Sequence, residues 1–251
     1  MPSKLRIVIL LLLILPAISC VTSVKNRKSK ETDIHYNLGI SYLNEGNRVR
    51  ALKELLKSEE LSPQNKAVQN ALGLVYFGLG EIDKSLLHFN KAISIDPEYS
   101  EAFNNMGVVY LENKDYNKAV SAFNRAVSNE QYSTPERAYN NIGWVYYQKR
   151  DYDKAISFYE KALKFAPNFP LPRFNIGLIY FDKGQYRKAA VQFRNLVNDF
   201  PAYGQARLKL AMTYLQLKKK GLALKEFEML LDVSNDEAIK LEADKYINIL
   251  K

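Results

Sequence analysis

A 34-residue period constrains this chain more than any other feature. Aligned on its small residues, the sequence shows Gly39, Gly73, Gly107, Gly143 and Gly177, separated by 34, 34, 36 and 34 residues, with Ala211 a further 34 on. Three residues after each comes a tyrosine: Tyr42, Tyr76, Tyr110, Tyr146, Tyr180 and Tyr214. Twelve residues after each lies Ala51, Ser85, Ala119, Ala155, Ala189 or Ala223, and four later comes Leu55, Phe89, Phe123, Tyr159, Phe193 or Phe227. Prolines close four of the repeats, at Pro63, Pro97, Pro167 and Pro201. A fixed period of roughly 20–50 residues marks supersecondary units that bury their apolar faces only against their neighbours.

Each residue type has a mechanical reason. The glycine lets a first helix lie close to its partner, the tyrosine and the later aromatic fill the space between layers, and the small residues of the second helix permit tight crossing. Proline then stops the helix from continuing. On these residues the chain resembles the tetratricopeptide repeat, a helix–turn–helix unit. The resemblance implies an all-α fold, a right-handed superhelical solenoid of six units at 32–65, 66–99, 100–133, 136–169, 170–203 and 204–237. The last unit is degenerate, with Ala211 for glycine and no closing proline. Residues 238–251, with Ile239, Leu241, Ala243, Tyr246, Ile247 and Leu250 at helical spacing, read as a capping helix over the open end.

The formal charge of +9, from 36 Lys and Arg against 27 Asp and Glu, invites a nucleic-acid reading that its location removes. Six basic residues and no acid fall in residues 1–30, and the remainder carries a net of +3. One cysteine excludes an intramolecular disulfide, and with His35 and His88 as the two histidines there is no Cys/His set for zinc. The histidines occupy dissimilar repeat positions, and no Ser/His/Asp set or phosphate loop is visible. The repeats leave no room for a catalytic domain. The chain reads as a non-enzyme with no cofactor, metal, small-molecule substrate or nucleic-acid partner.

The amino terminus reads as an address. Lys4 and Arg6 precede nine aliphatic residues, Ile7–Leu15, too few for a span, which takes about 20, but enough for an export signal, which takes about 7–15. Ala17-Ile18-Ser19-Cys20 then resembles the lipobox of bacterial lipoproteins. That resemblance implies a signal peptide over 1–19 and a lipid-bearing Cys20 as residue one of the mature chain. Alanine at 17 departs from the leucine usual in the family. Residues 20–31 form a basic tether, either lying against anionic headgroups or acting as a solvated linker. Val21 after the cysteine resembles the pattern sorted to the outer membrane, which puts the protein on the periplasmic face of that membrane, held by lipid alone.

The first helices of such a fold line its inner surface through repeat positions 2, 5, 6, 9, 12 and 13. Position 6 supplies Asn37, Asn105, Asn141 and Asn175, which either hold a ligand's extended backbone through amide hydrogen bonds or are the usual residue there. Position 9 is apolar throughout: Ile40, Leu74, Val108, Trp144, Leu178 and Met212. Position 12 adds Leu43, Phe77, Leu111, Tyr147, Phe181 and Leu215. The two rows predict an apolar strip, open to a partner helix or peptide unless superhelical curvature or the tether covers it. Trp144 is either an anchor for that partner or internal packing. Position 13 reads Asn44, Gly78, Glu112, Gln148, Asp182 and Gln216, so the cationic clamp that chaperone-binding relatives use for a terminal carboxylate is absent.

One break in the period, Tyr132-Ser133-Thr134-Pro135, inserts two residues before the fourth unit. A lipid cysteine, six units and a Tyr-x-x-Pro turn at that place together resemble the pilotins, lipoproteins of type IV pilus biogenesis (the PilF and PilW group). This resemblance implies a protein that binds the secretin subunit and promotes its assembly. The alternative is a general repeat lipoprotein, an adaptor for outer-membrane protein assembly or for periplasmic proteases and cell-wall enzymes.

Overall fold

The computed structural model describes residues 27–251, and all regular structure among them is helical. Cys20, the expected signal peptide and the first part of the expected tether lie outside the described residues. Helix α1 occupies 27–44. Then follow α2 (Arg48–Leu61), α3 (Lys66–Gly78), α4 (Ile82–Ile95), α5 (Ser100–Glu112), α6 (Tyr116–Val127), α7 (Pro135–Gln148), α8 (Tyr152–Phe165), α9 (Pro170–Asp182), α10 (Tyr186–Asp199), α11 (Gly204–Gln216), α12 (Lys220–Val233) and α13 (Glu237–Leu250). They pack as antiparallel pairs in two compact blocks, one running to Asp115 and the other from Tyr116.

Residues 27–31, expected to belong to the tether, are helical. Arg27 pairs with Glu31 one turn on at 3.1 Å, and the Thr32 hydroxyl donates to the Lys28 carbonyl at 2.9 Å. Buried Ser58 ties this turn to α2 by donating to the Thr32 carbonyl at 3.0 Å.

Every first helix ends in the same way. The amide five residues past each recurrent tyrosine, from Asn47, Glu81, Asp115, Asp151, Gln185 and Lys219, donates back to the carbonyl of Tyr42, Tyr76, Tyr110, Tyr146, Tyr180 and Tyr214 at 2.8–2.9 Å. This closure requires a left-handed residue just before the donor. Gly46, Gly80 and Gly184 supply it at φ 77°, 80° and 68°, whereas Lys114, Arg150 and Lys218 adopt it at 60°, 58° and 56° against their Cβ atoms. The second helices α2, α4, α8 and α10 stop two residues before Pro63, Pro97, Pro167 and Pro201. Around the inserted residues α6 ends at Val127, and a seven-residue connection, 128–134, leads to Pro135 in the first turn of α7.

The core follows from small against large. A Cβ on Gly73 would stand 2.5 Å from the Phe89 ring, and one on Gly143 would stand 2.6 Å from the Tyr159 ring. Leu55, Phe89, Phe123, Tyr159, Phe193 and Phe227 are fully buried. At roughly 25 cal/mol per Å² of apolar surface, each is worth about 1.5–3 kcal/mol relative to exposure. The recurrent tyrosines do less between layers than the sequence suggests. Five of the six are half-buried, and cations lie over the rings of Tyr42, Tyr76, Tyr146 and Tyr180 at 5.3–5.7 Å.

Residues 19 apart also face each other across the helix pairs. His35 Nδ1 meets Glu54 Oε2 at 2.6 Å, His88 Nδ1 meets Gln69 Oε1 at 2.8 Å, and Arg207 Nη1 donates to Glu226 Oε2 at 2.7 Å. The two histidines thus sit at opposite ends of the same kind of pair.

Candidate functional site

The apolar rows at positions 9 and 12 fall on the last two turns of each first helix, and the small residue one place before position 9, a glycine in five repeats and Ala211 in the sixth, lets that helix lie close to its partner. All twelve residues are half-buried, none fully covered and none fully exposed. A helix face that carries apolar residues at i and i+3 yet stays partly open is one whose inner side packs and whose outer side meets solvent or a partner.

In the block that runs to Asp115, Ile40 and Leu43 rest on the cluster around Ala51, Leu55 and Leu72. Leu74 and Phe77 rest on the one around Phe89, Ala102 and Val109. Val108 and Leu111 continue the two rows on α5. In the block from Tyr116, Leu178, Phe181, Met212 and Leu215 lean on the cluster around Phe193, Leu210 and Phe227, and Tyr147 leans on the one around Tyr159 and Ile179. Trp144 stacks on Tyr147 with centroids 4.9 Å apart and planes 19° apart.

Two of the four asparagines, Asn105 and Asn175, pair with an asparagine of the preceding repeat. Asn105 Nδ2 donates to Asn70 Oδ1 at 2.9 Å, and Asn175 Nδ2 donates to Asn140 Oδ1 at 3.2 Å. Asn175 and Asn140 are both buried, at 4% exposure. Their amides act first as clasps between successive first helices. Asn37 is exposed, and Asn141 is half-buried. Asn70 and Asn140, one position earlier in the repeat, escape a reading by position 6 alone. The signal that finds them is the recurrence of Asn at i and i+35.

Position 13 is exposed in all six repeats. Its one strong contact is Asp182, which accepts the Tyr147 hydroxyl at 2.5 Å across 35 residues. Burial, and then this bond to a carboxylate, push the Tyr147 hydroxyl well above the ordinary phenol range. Tyr147 therefore stays a neutral donor, and Asp182 stays the acceptor.

Two shallow recesses lie elsewhere, and neither includes a residue of the apolar rows. One, of about 310 Å³, is lined by Lys28, Thr32, Asp33 and Asn65 among others; the second, of about 290 Å³, is lined by Tyr180, Arg187, Lys188, Val191 and Gln192. Among the described residues no group of three His, Cys, Asp or Glu side chains could hold a metal ion, and no helix is long and apolar enough to cross a membrane.

Comparison with known proteins agrees with this geometry. Family models of the tetratricopeptide repeat match residues 76–114, 100–131, 136–169 and 174–238. Among solved structures, PilF of Pseudomonas aeruginosa superposes with a TM-score of 0.71 at 21% identity, over 87% of this chain and 98% of PilF. PilW, a type IV pilus biogenesis factor, gives 0.73 at 19% identity, over 84% and 97%. YrrB, a repeat protein with an unusual peptide-binding site, gives 0.53 at 20% identity, over 76% and 97%. No curated protein matches the chain in sequence.

Proposed function

We propose, on the premise that this chain is a tetratricopeptide-repeat protein and hence a protein-binding scaffold, that it works as a membrane-tethered, pilotin-like factor that receives a secretin subunit in its apolar inner face. The observation that carries the reading is the recurrence, within each block, of apolar residues held half-buried at positions 9 and 12 of the first helices. A surface of that kind is costly to leave in water and stabilises a complex once a partner's apolar face covers it. The likeness to PilF and PilW, which spans nearly the whole of both proteins, supports the choice of partner class. Lipidation at Cys20, which lies outside the described residues, supplies the membrane attachment. Several acyl chains at about 0.8 kcal/mol per buried CH₂ make such anchoring stable, where one chain is marginal.

Co-purification from detergent-solubilised membranes tests the partner. Secretin subunits are expected with the native chain and in reduced amount with Trp144→Ala, at unchanged helical content. Recovery of proteases or cell-wall hydrolases, together with normal secretin rings in cells lacking the protein, would sink the pilotin reading in favour of a general adaptor. For the anchor, Cys20→Ser is expected to abolish acyl labelling and move the protein to the soluble fraction. Membrane retention without label would refute lipid anchoring.

A further inference from the structure

The inner face of α7 and α9 carries more than apolar surface. Trp144 and Tyr147 form one stacked aromatic wall, and the wall ends at Asp182 through the Tyr147 hydroxyl. Asp182 is exposed and has no ion-pair partner among the described residues. A carboxylate offers about four acceptor sites, of which the tyrosine takes one.

Several features of this corner favour a cation, against the positive charge of Arg150, which acts on Tyr147. Tyr147 and Asp182 stand in the last turns of α7 and α9, at the negative ends of the two helix dipoles, although the closing amides already bond the carbonyls of Tyr146, Tyr147, Tyr180 and Phe181. Aromatic faces add the negative side of their quadrupoles. The neighbouring wall already attracts an ammonium group, since Lys209 Nζ lies 5.9 Å over the Phe181 ring. Arg150, whose charge reaches Tyr147, and Lys209 both leave Asp182 unpaired.

We infer that Trp144, Tyr147 and Asp182 form a cation-accepting subsite, and that the occupant of this face is an apolar peptide segment carrying one Arg or Lys. The apolar flanks of that segment lie along Leu178 and Phe181, its cationic group spreads on the Trp144 and Tyr147 rings, and Asp182 takes the charge by a direct hydrogen bond. A clamp for a terminal carboxylate needs cations at position 13, and here the charge at that position has the opposite sign. The inference rests on the proposed binding role of the apolar rows.

Trp144 is the chain's one tryptophan, so its emission reports this site directly. The probes are blocked Ser-Leu-Leu-Xaa-Leu-Leu-Ser peptides with Xaa Arg, norleucine or Glu, titrated into the full chain. The Arg peptide is expected to bind about tenfold more tightly than the norleucine peptide, and the Glu peptide more weakly than either. Asp182→Asn, at an exposed position, is expected to erase the preference for Arg and to leave the norleucine affinity unchanged. Tyr147→Phe keeps the ring, frees the carboxylate from its tether and is expected to reduce the preference to a few-fold. Equal affinities for Arg and norleucine, a preference for Glu, or an Arg preference that survives Asp182→Asn would overturn the subsite and leave the apolar groove standing. Binding of none of the three peptides would overturn both.

Discussion

Tyr159 lies with its ring against Gly143, in the place that phenylalanine fills against glycine in two other repeats, and its hydroxyl has no hydrogen-bond partner among the described residues. The ring is fully buried, and burial raises the hydroxyl's pKa, which keeps it protonated. An unsatisfied buried hydroxyl costs about 1–3 kcal/mol.

Tyr159→Phe removes that cost and keeps the packing. The variant is expected to be more stable by about 1 kcal/mol. Thermal and urea unfolding check this, and a lower melting temperature would mean that the hydroxyl is satisfied.

Arg207 and Glu226 form an ion pair in the sixth repeat, with Arg207 at 4% exposure. Removing one partner leaves a buried charge uncompensated. Glu226→Gln is expected to cost about 3 kcal/mol, whereas the double change Arg207→Met with Glu226→Leu is expected to fall within about 1 kcal/mol of the native chain. A double-mutant cycle in urea decides the matter, and additive losses would refute the coupling.

His88 is buried beside Gln69 and stacks on Tyr76 at 5.2 Å. Desolvation lowers its pKa, against the pull of Glu59 at 3.9 Å, and the charge of Lys91 adds to the lowering. The folded protein therefore binds this proton less readily than the unfolded chain. Stability from this site is complete above the unfolded value of about 6.5 and declines as the pH falls from there toward the folded value. Urea unfolding of the native chain and His88→Gln at pH 7.5 and 5.5 should show a smaller acid loss in the variant. Equal losses would remove His88 as the cause.

Lys218 closes the first helix of the sixth repeat at φ 56°, where Gly80 stands in the second at φ 80°. Its Cβ opposes that conformation. Lys218→Gly is expected to raise stability by about 0.5–1 kcal/mol, and Gly80→Ala to lower it by a similar amount. Differential scanning calorimetry of both variants tests the pair, and a destabilised Lys218→Gly would show that its side chain makes a compensating contact.

The helical class and the pairing of small with large residues were legible because both depend on neighbours within one helix pair. Gly73 opposite Phe89 is a contact across 16 residues, and the period repeats it. The polar pairs were less legible. The sequence places His35 and His88 at unlike repeat positions, yet both enter the same kind of contact, because Glu54 and Gln69 supply the opposite halves. The asparagine row was open to two readings. Position 6 looks like an open ladder when read alone, but Asn70 and Asn140 one position earlier accept the amides of Asn105 and Asn175.

By itself the sequence determined that this chain folds into helix pairs, and that apolar residues recur on one side of the first helices. Both follow from a period that each repeat satisfies locally. Only the tertiary structure decided which polar groups of that face are spent and which remain. The bonds from Asn175 to Asn140 and from Tyr147 to Asp182 each span 35 residues, so their formation depends on the offset between one repeat and the next. The same offset leaves Asp182 with an aromatic wall beside it and, among the described residues, no ion-pair partner.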